Sequence, residues 1–237
     1  MSVLAIIPAA GLGVRMGTDT PKQFLSLEGV PIFIYTLRKF AACDVIDEVL
    51  LALRDEDRER AQSDIDREGF GKTVRLVTGG ATRQETVARA LAQAPPATEV
   101  VVVHDAVRPF VDVDIIRRVV EAARSQGAVI LGVPSVDTVK QVQQRTILGT
   151  LPRERIVLAQ TPQAFRADLL REAINRAVED GFNGTDESSL VERLGHQVTV
   201  LMGSDRNIKI TKPTDLPLAR LYIAQERAEK ATGHLPA

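Results

Sequence analysis

The first residues able to do chemistry come within the opening two dozen. Val3 to Ile7 is a short apolar run that reads as a buried strand. It leads into Pro8-Ala9-Ala10-Gly11-Leu12-Gly13-Val14-Arg15-Met16-Gly17, with Pro21-Lys22-Gln23 close behind. Small residues let backbone N–H groups come near a ligand, and successive free N–H groups form a concave anion site. Arg15 and Lys22 add a guanidinium and an ammonium, so the stretch reads as a receptor for a polyphosphate. Two familiar phosphate loops do not match. The Rossmann fingerprint needs a third Gly three residues after the second, and Met16 holds that position. Gly71-Lys72-Thr73 imitates the end of a P-loop, but Asp66 stands where the first Gly belongs, which leaves an ordinary turn entering a strand.

A second chemical stretch is Val101-Val102-Val103-His104-Asp105-Ala106-Val107-Arg108-Pro109. A β-branched run buried on both faces delivers a carboxylate that can hold Mg²⁺ beside substrate phosphates. The bland alternative for Asp105 is a helix cap or an ion pair with Arg108. His104 is a candidate base, although a lone His beside a strand is more often structural, and His196 and His234 stand apart from it. Gly79-Gly80-Ala81-Thr82-Arg83 is another glycine turn before a capped helix. Its peptide groups can read a nucleobase edge, or it is simple punctuation. Thr138, Lys140 and Arg153 fall in a polar insert, and Lys209 lies within Asn207-Ile208-Lys209-Ile210-Thr211. Arg15, Lys22, Arg108, Arg153 and Lys209 make a site only if the fold brings them together.

The elements that must position these groups alternate. Strands are expected near 3–7, 49–53, 74–77, 99–103 and 128–133, and helices over 31–41, 55–68, 82–92 and 112–125. Thr82-Arg83-Gln84-Glu85 is a capping-box pattern, and Asp112 can cap the helix it precedes. This β-α order predicts a three-layer α/β fold with a mostly parallel sheet, whose ligands sit beyond the carboxyl ends of the strands. Between Ser135 and Pro162 the pattern breaks. Residues 138–144 read as an exposed strand and 145–155 carry turn residues, so an arm of about 135–160 that packs on a second copy of the chain is expected, with a surface loop as the alternative. Helices at 167–180 and 186–194, strands at 198–201 and 207–210, and a last helix from 214 to about 230 complete one domain over 1–237.

Composition narrows the class. At 237 residues, 44% hydrophobic and 26% charged, the chain is an ordinary globular protein. A formal net charge of −1 provides no broad field for nucleic acid or membranes. Cys43 is the sole cysteine, which excludes an internal disulfide and fits a reducing compartment. No apolar run approaches the ~18 residues that would span a bilayer, and the first residues lack a basic signal region, so a cytoplasmic location is expected.

In order along the chain stand PAAGLGVRMG…PKQF, GGATRQETV, VVVHDAVRPF, VDTVK, TPQAF, GTDESSLVE and NIKIT. Together they resemble the 2-C-methyl-D-erythritol 4-phosphate cytidylyltransferase family of the non-mevalonate isoprenoid pathway, over nearly the whole length. The resemblance implies a Rossmann-like nucleotidyltransferase fold, Mg²⁺ as cofactor, CTP and methylerythritol phosphate as substrates, and a homodimer of interlocking arms. Ala9, Ala10, Gly11 and Gly13 would then wrap the phosphates and ribose of CTP, and Gly80, Ala81 and Thr86 would face the cytosine. Arg15, Lys22, Arg153 and Lys209 would be the catalytic cations, the first two at the α-phosphorus. Asp105 would meet both metal and substrate. Arg108, Thr161 and Lys209 would bind the acceptor, with Thr138 and Arg153 reaching across from the partner subunit. Val107, Thr86 and Ala81 depart from the commoner family residues. The same cations would grip another polyol phosphate, such as ribitol 5-phosphate, which stays open on sequence grounds.

Overall fold

The computed structural model describes residues 2–11 and 20–232. Its elements run β1 (Ser2–Pro8), β2 (Ser26–Leu27), β3 (Val30–Pro31), α1 (Ile32–Ala42), β4 (Glu48–Leu53), α2 (Arg58–Glu68), β5 (Thr73–Thr78), α3 (Arg83–Leu91), β6 (Thr98–Val103), α4 (Val113–Gln126) and β7 (Ala128–Pro134). Then come β8 (Val139–Gln143), β9 (Thr146–Leu151), β10 (Val157–Arg166), α5 (Ala167–Glu179), α6 (Glu187–Arg193), β11 (Thr199–Met202) and α7 (Asp215–Thr232). Up to β7 the expected elements are all present, with ends displaced by up to three residues; residues Asp55–Asp57 form a short 3-10 turn ahead of α2.

Seven strands form the central sheet in the order β11-β7-β10-β6-β1-β4-β5. Every neighbouring pair is parallel except those of β10, which runs antiparallel to both β6 and β7. The alternation of a pleated strand divides the apolar runs between two cores. Val3, Ala5 and Ile7 with Val100 and Val102 pack beneath α1, α2 and α4. Leu4 and Ile6 with Val101 and Val103 pack against α3, α5 and α6. Burial on both faces explains why these runs are continuously apolar rather than alternating. A smaller third cluster joins Leu27, Ile32, Val107 and Phe110 to Ile210 and to Ala219 and Ile223 of α7, which seats the last helix behind the β6 exit loop.

Three expectations change. Residues 145–155 are not merely turn. Thr146–Leu151 forms β9, antiparallel to β8, and the two are joined through Gln144 and Arg145 at φ 45° and 71°. Hairpin turns of this kind favour Asn and Gly, and the Gln144-Arg145 pair itself is not of that type. The hairpin stands out from the body with Val142, Ile147 and Leu148 exposed. Second, β10 was not anticipated: Gln160, Pro162 and Gln163 argue against a central strand, and its register shifts between Gln160 and Gln163. Third, 207–210 is irregular rather than a strand, held by one bond from the Ile210 N–H to the Val107 carbonyl at 2.9 Å. No helix among the described residues is long and apolar enough to cross a membrane.

Candidate active site

Two loops leave the carboxyl edge of the sheet side by side, and β4 anchors both. The N–H of Ala9, just past β1, donates to the Ala52 carbonyl at 2.6 Å, and that of Gly79, just past β5, donates to the Leu53 carbonyl at 2.7 Å. A Cβ on Gly79 would stand 2.5 Å from the Cβ of Ala10, so glycine is what allows the loops to touch. Gln23, 2% exposed, donates from Nε2 to the Ala9 carbonyl at 2.5 Å and the Gly11 carbonyl at 3.3 Å. The short helical turn Lys22–Phe24 is thereby tied to the first loop, and Lys22 comes to its rim.

The third loop follows β6. The His104 N–H donates to the Ile6 carbonyl at 3.0 Å, extending the parallel pairing, and the Asp105 N–H donates to the Thr161 hydroxyl at 3.0 Å. Three cations surround the Asp105 carboxylate: Lys209 Nζ at 2.8 Å, Arg83 Nε at 3.4 Å and Arg108 Nε at 3.5 Å. Burial alone would raise its pKa, but Lys209, Arg83 and Arg108 outweigh that and hold it well below the usual carboxylate range. Behind Arg83 lies Glu187, 1% exposed, with both oxygens on the Arg83 Nη1 at 2.6 and 2.8 Å. Burial pushes the Glu187 carboxyl up while Arg83 draws it down.

Lys209 reaches Asp105 because the irregular segment around it is knitted to its neighbours. Arg108 Nη1 donates to the Asn207 carbonyl at 2.7 Å. Asn207 Nδ2 donates to the Thr161 carbonyl at 2.8 Å and to Gln160 Oε1 at 3.2 Å. His104 proves structural. Its Nε2 lies 3.0 Å from the Arg108 carbonyl and its ring 5.0 Å from that of Phe40. Burial lowers its pKa to about 4, so it is neutral and enclosed.

Two clefts meet over this network. The first, about 610 Å³ with its open mouth included, is lined by Ala9, Ala10, Gly11, Lys22, Gly80, Ala81, Thr86, Asp105 and Lys209 together with Gln23, Thr82 and Arg83. The second, about 500 Å³, is lined by Arg108, Gln160, Thr161, Gln163, Thr185 and Asp186, and it shares Arg83, Asp105 and Lys209 with the first. Most of the expected site residues thus converge from loops far apart in sequence. Thr138 and Arg153 line neither cleft. Both are exposed at the foot of the hairpin, where Arg153 Nη1 donates to the Val136 carbonyl at 2.9 Å. Gly13 and Arg15 lie outside the described residues. Gln23, Arg83, Glu187 and Asn207 were not singled out from sequence, since a polar side chain that braces another through space leaves no local periodicity.

Backbone donors beside a lysine, opening onto a second cation-rich cleft, suit a nucleotide and an anionic acceptor. The comparisons agree. Residues 3–225 match the family described as 2-C-methyl-D-erythritol 4-phosphate cytidylyltransferase. Proteins of that name from Solibacter usitatus and Acidobacterium capsulatum are 53% and 52% identical, over 96% and 95% of this chain and 98% of each relative. A crystal structure of 4-diphosphocytidyl-2C-methyl-D-erythritol synthase from Anaerococcus prevotii superposes with a TM-score of 0.84 at 31% identity, over 94% of this chain and 96% of that one. The chain therefore belongs to the 2-C-methyl-D-erythritol 4-phosphate cytidylyltransferase family, and it transfers the CMP moiety of CTP to that acceptor, giving 4-diphosphocytidyl-2-C-methyl-D-erythritol and pyrophosphate.

Proposed function

We propose that the first cleft takes CTP and the second the methylerythritol phosphate, with the acceptor's phosphate oxygen attacking the α-phosphorus in line while pyrophosphate leaves. The observation that carries this assignment is the Asp105–Lys209 pair at the junction, shared by both clefts. Ala10 and Gly11 present backbone N–H groups to the triphosphate, and Ala9, whose own N–H is taken by the Ala52 carbonyl, lines the cleft as a small residue. Gly13 is assigned to the same phosphates from its place in the motif. Gly80, Ala81 and Thr86 take the cytosine. Lys22, with Arg15, offsets charge developing at the α-phosphorus. Arg108, Thr161 and Lys209 hold the acceptor.

The nucleophile is itself a phosphate whose second pKa lies near ~6, so it is largely ionised at neutral pH and needs no strong base. This accords with a His104 that is buried and neutral. The task left to the protein is to bring two anions together and to stabilise the charge, which is mostly positioning and electrostatics.

The donor set fits Mg²⁺. A carboxylate held ionised supplies one oxygen ligand, and magnesium typically completes its shell with waters and substrate phosphates. Among the described residues no group of three or more His, Cys, Asp or Glu side chains forms a dedicated metal cage, so Asp105 is the residue that would hold it. The ion, when bound, would neutralise phosphate charge.

A homodimer through the hairpin arm, a single domain over 1–237 with an arm of about 135–160, and a cytoplasmic setting complete the proposal. Thr138 and Arg153, exposed and not among the residues lining their own clefts, then serve the partner's acceptor site. The apolar residues exposed on the hairpin support a contact there. Pyrophosphate release measured with CTP, Mg²⁺ and either methylerythritol phosphate or ribitol 5-phosphate tests the assignment. Strong preference for the first acceptor and loss of turnover on chelation are expected. Equal turnover with ribitol 5-phosphate, or full activity after chelation, overturns the acceptor or the metal assignment respectively.

A further inference from the structure

We propose that Glu85 and Arg89, on the outer side of α3, are positioning residues that fix the loop 79–81 and thereby set the affinity for CTP. Three consecutive loop residues are each held by a different side chain of one helix. The Gly79 carbonyl accepts from Arg89 Nη1 at 2.8 Å. The Gly80 N–H donates to the Thr86 hydroxyl at 3.0 Å. The Ala81 N–H donates to Glu85 Oε2 at 2.7 Å. Arg89 Nη2 in turn donates to Glu85 Oε1 at 2.6 Å, so the two outer ties brace each other.

Glu85 does more than cap the helix. In a capping box the acid returns to the N–H of the cap residue, here Thr82. Here the carboxylate also reaches one residue further back, and the Ala81 N–H is the larger influence on it and the Thr82 N–H the smaller, while the Thr82 hydroxyl accepts from the Glu85 N–H at 3.1 Å. The carboxylate therefore ties the loop to the helix start, with its 2.7 Å bond on the loop side. Its stem lies against that loop: a Cβ on Gly80 would come within 2.4–2.6 Å of the Glu85 Cβ, Cγ and Cδ. Neither Glu85 nor Arg89 lines a cleft, so neither is placed to touch substrate, and any effect on CTP passes through the loop.

The proposal rests on the reading that this loop faces the base. Both side chains are partly exposed, at 40% and 49%, so truncating them leaves no buried void. The experiment is two-substrate steady-state kinetics on Glu85→Ala, Arg89→Ala, their double variant, Glu85→Gln and Thr86→Val, with melting temperatures alongside. For the two alanine variants KM for CTP should rise roughly three- to ten-fold, as for one lost hydrogen bond, with KM for the acceptor and kcat nearly unchanged. Glu85→Gln keeps an oxygen for the Ala81 N–H and should restore most of the loss. The double variant should lose less than the product of the single effects, because the two residues share one brace. If only Thr86→Val raises KM for CTP, the clamp is overturned and the base-facing loop stands. If none of the variants moves it, the base assignment fails with the clamp. If both Michaelis constants rise together with a fall in melting temperature, the role is general support, and the proposal is likewise overturned.

Discussion

Lys209 Nζ lies 2.8 Å from Asp105 Oδ2, and this pair marks where the two clefts become one. Asp105→Asn would leave Arg83, Arg108 and Lys209 crowded without their common counter-charge. Turnover should fall on the order of 10²-fold, in line with the loss of other preorganised charge-stabilising groups. The carboxylate is held far below the assay range, so it stays ionised throughout. The acid limb of the pH–rate profile therefore belongs to the acceptor phosphate, near ~6, and should persist unshifted in Asp105→Asn. A limb that disappears in the variant would contradict this.

Lys22→Ala removes the cation that the Gln23 anchor holds at the rim of the first loop. Loss of roughly 10²–10³ in kcat at saturating CTP is expected, with melting temperature unchanged. Turnover near wild type would remove Lys22 from the α-phosphate.

Arg83, half-buried, and Glu187, fully buried, form a pair whose parts are unequal to lose. Arg83→Met strands the Glu187 carboxyl, 1% exposed, and should cost about 3–5 kcal/mol in urea unfolding. Arg83→Met with Glu187→Met should recover most of that, since an apolar pair can replace a buried ion pair at little cost.

His104 makes stability depend on pH. The unfolded chain takes up its proton near ~6.5, whereas the folded ring does so only at about 4. Stability from this group is complete above the higher value, declines as pH falls between the two, and is gone below the lower one, a loss of about 3 kcal/mol. Asp105 adds nothing in this window, because a carboxyl with a depressed pKa gives up its contribution only at still lower pH. Denaturation followed from pH 7 to 4.5 should show the slope, and His104→Gln should flatten it.

Mixing two inactive proteins tests the arm. In the proposed dimer, Lys22→Ala and Arg153→Ala place their lesions in different chains of one shared site. Unfolding and refolding the mixture should therefore restore about a quarter of wild-type turnover, through heterodimers with one intact site. No recovery would mean that Arg153 serves its own chain.

Much of this was legible in advance, for identifiable reasons. Val101–Val103 declared a doubly buried strand because no polar residue interrupts it, and Ala9–Gly11 declared a close-approach loop, which lines the first cleft, because small residues follow such a strand at once. Lys209 was visible as a cation but not as the partner of Asp105, because its segment owes its path to Asn207 and Arg108 rather than to any repeat of its own. β10 was hidden by Gln160, Pro162 and Gln163, which reflect the cleft that its middle residues line. The hairpin tip was hidden because Gln144 and Arg145 adopt left-handed backbone without the usual turn residues. In each case a demand made through space overrode the local pattern.

The reversed strand bears on how the polypeptide matures during synthesis. Because β10 sits between β6 and β7, those two strands cannot finish the sheet until residues 157–166 have left the ribosome. A nascent chain halted at the hairpin would carry two unpaired edges, which invite association with other chains, while β1, β4, β5 and β6 could already be aligned. The half of the sheet built on β1, β4, β5 and β6 can thus mature before the half that holds β7, β10 and β11, and a stall between residues 134 and 157 is where a chaperone would be needed most.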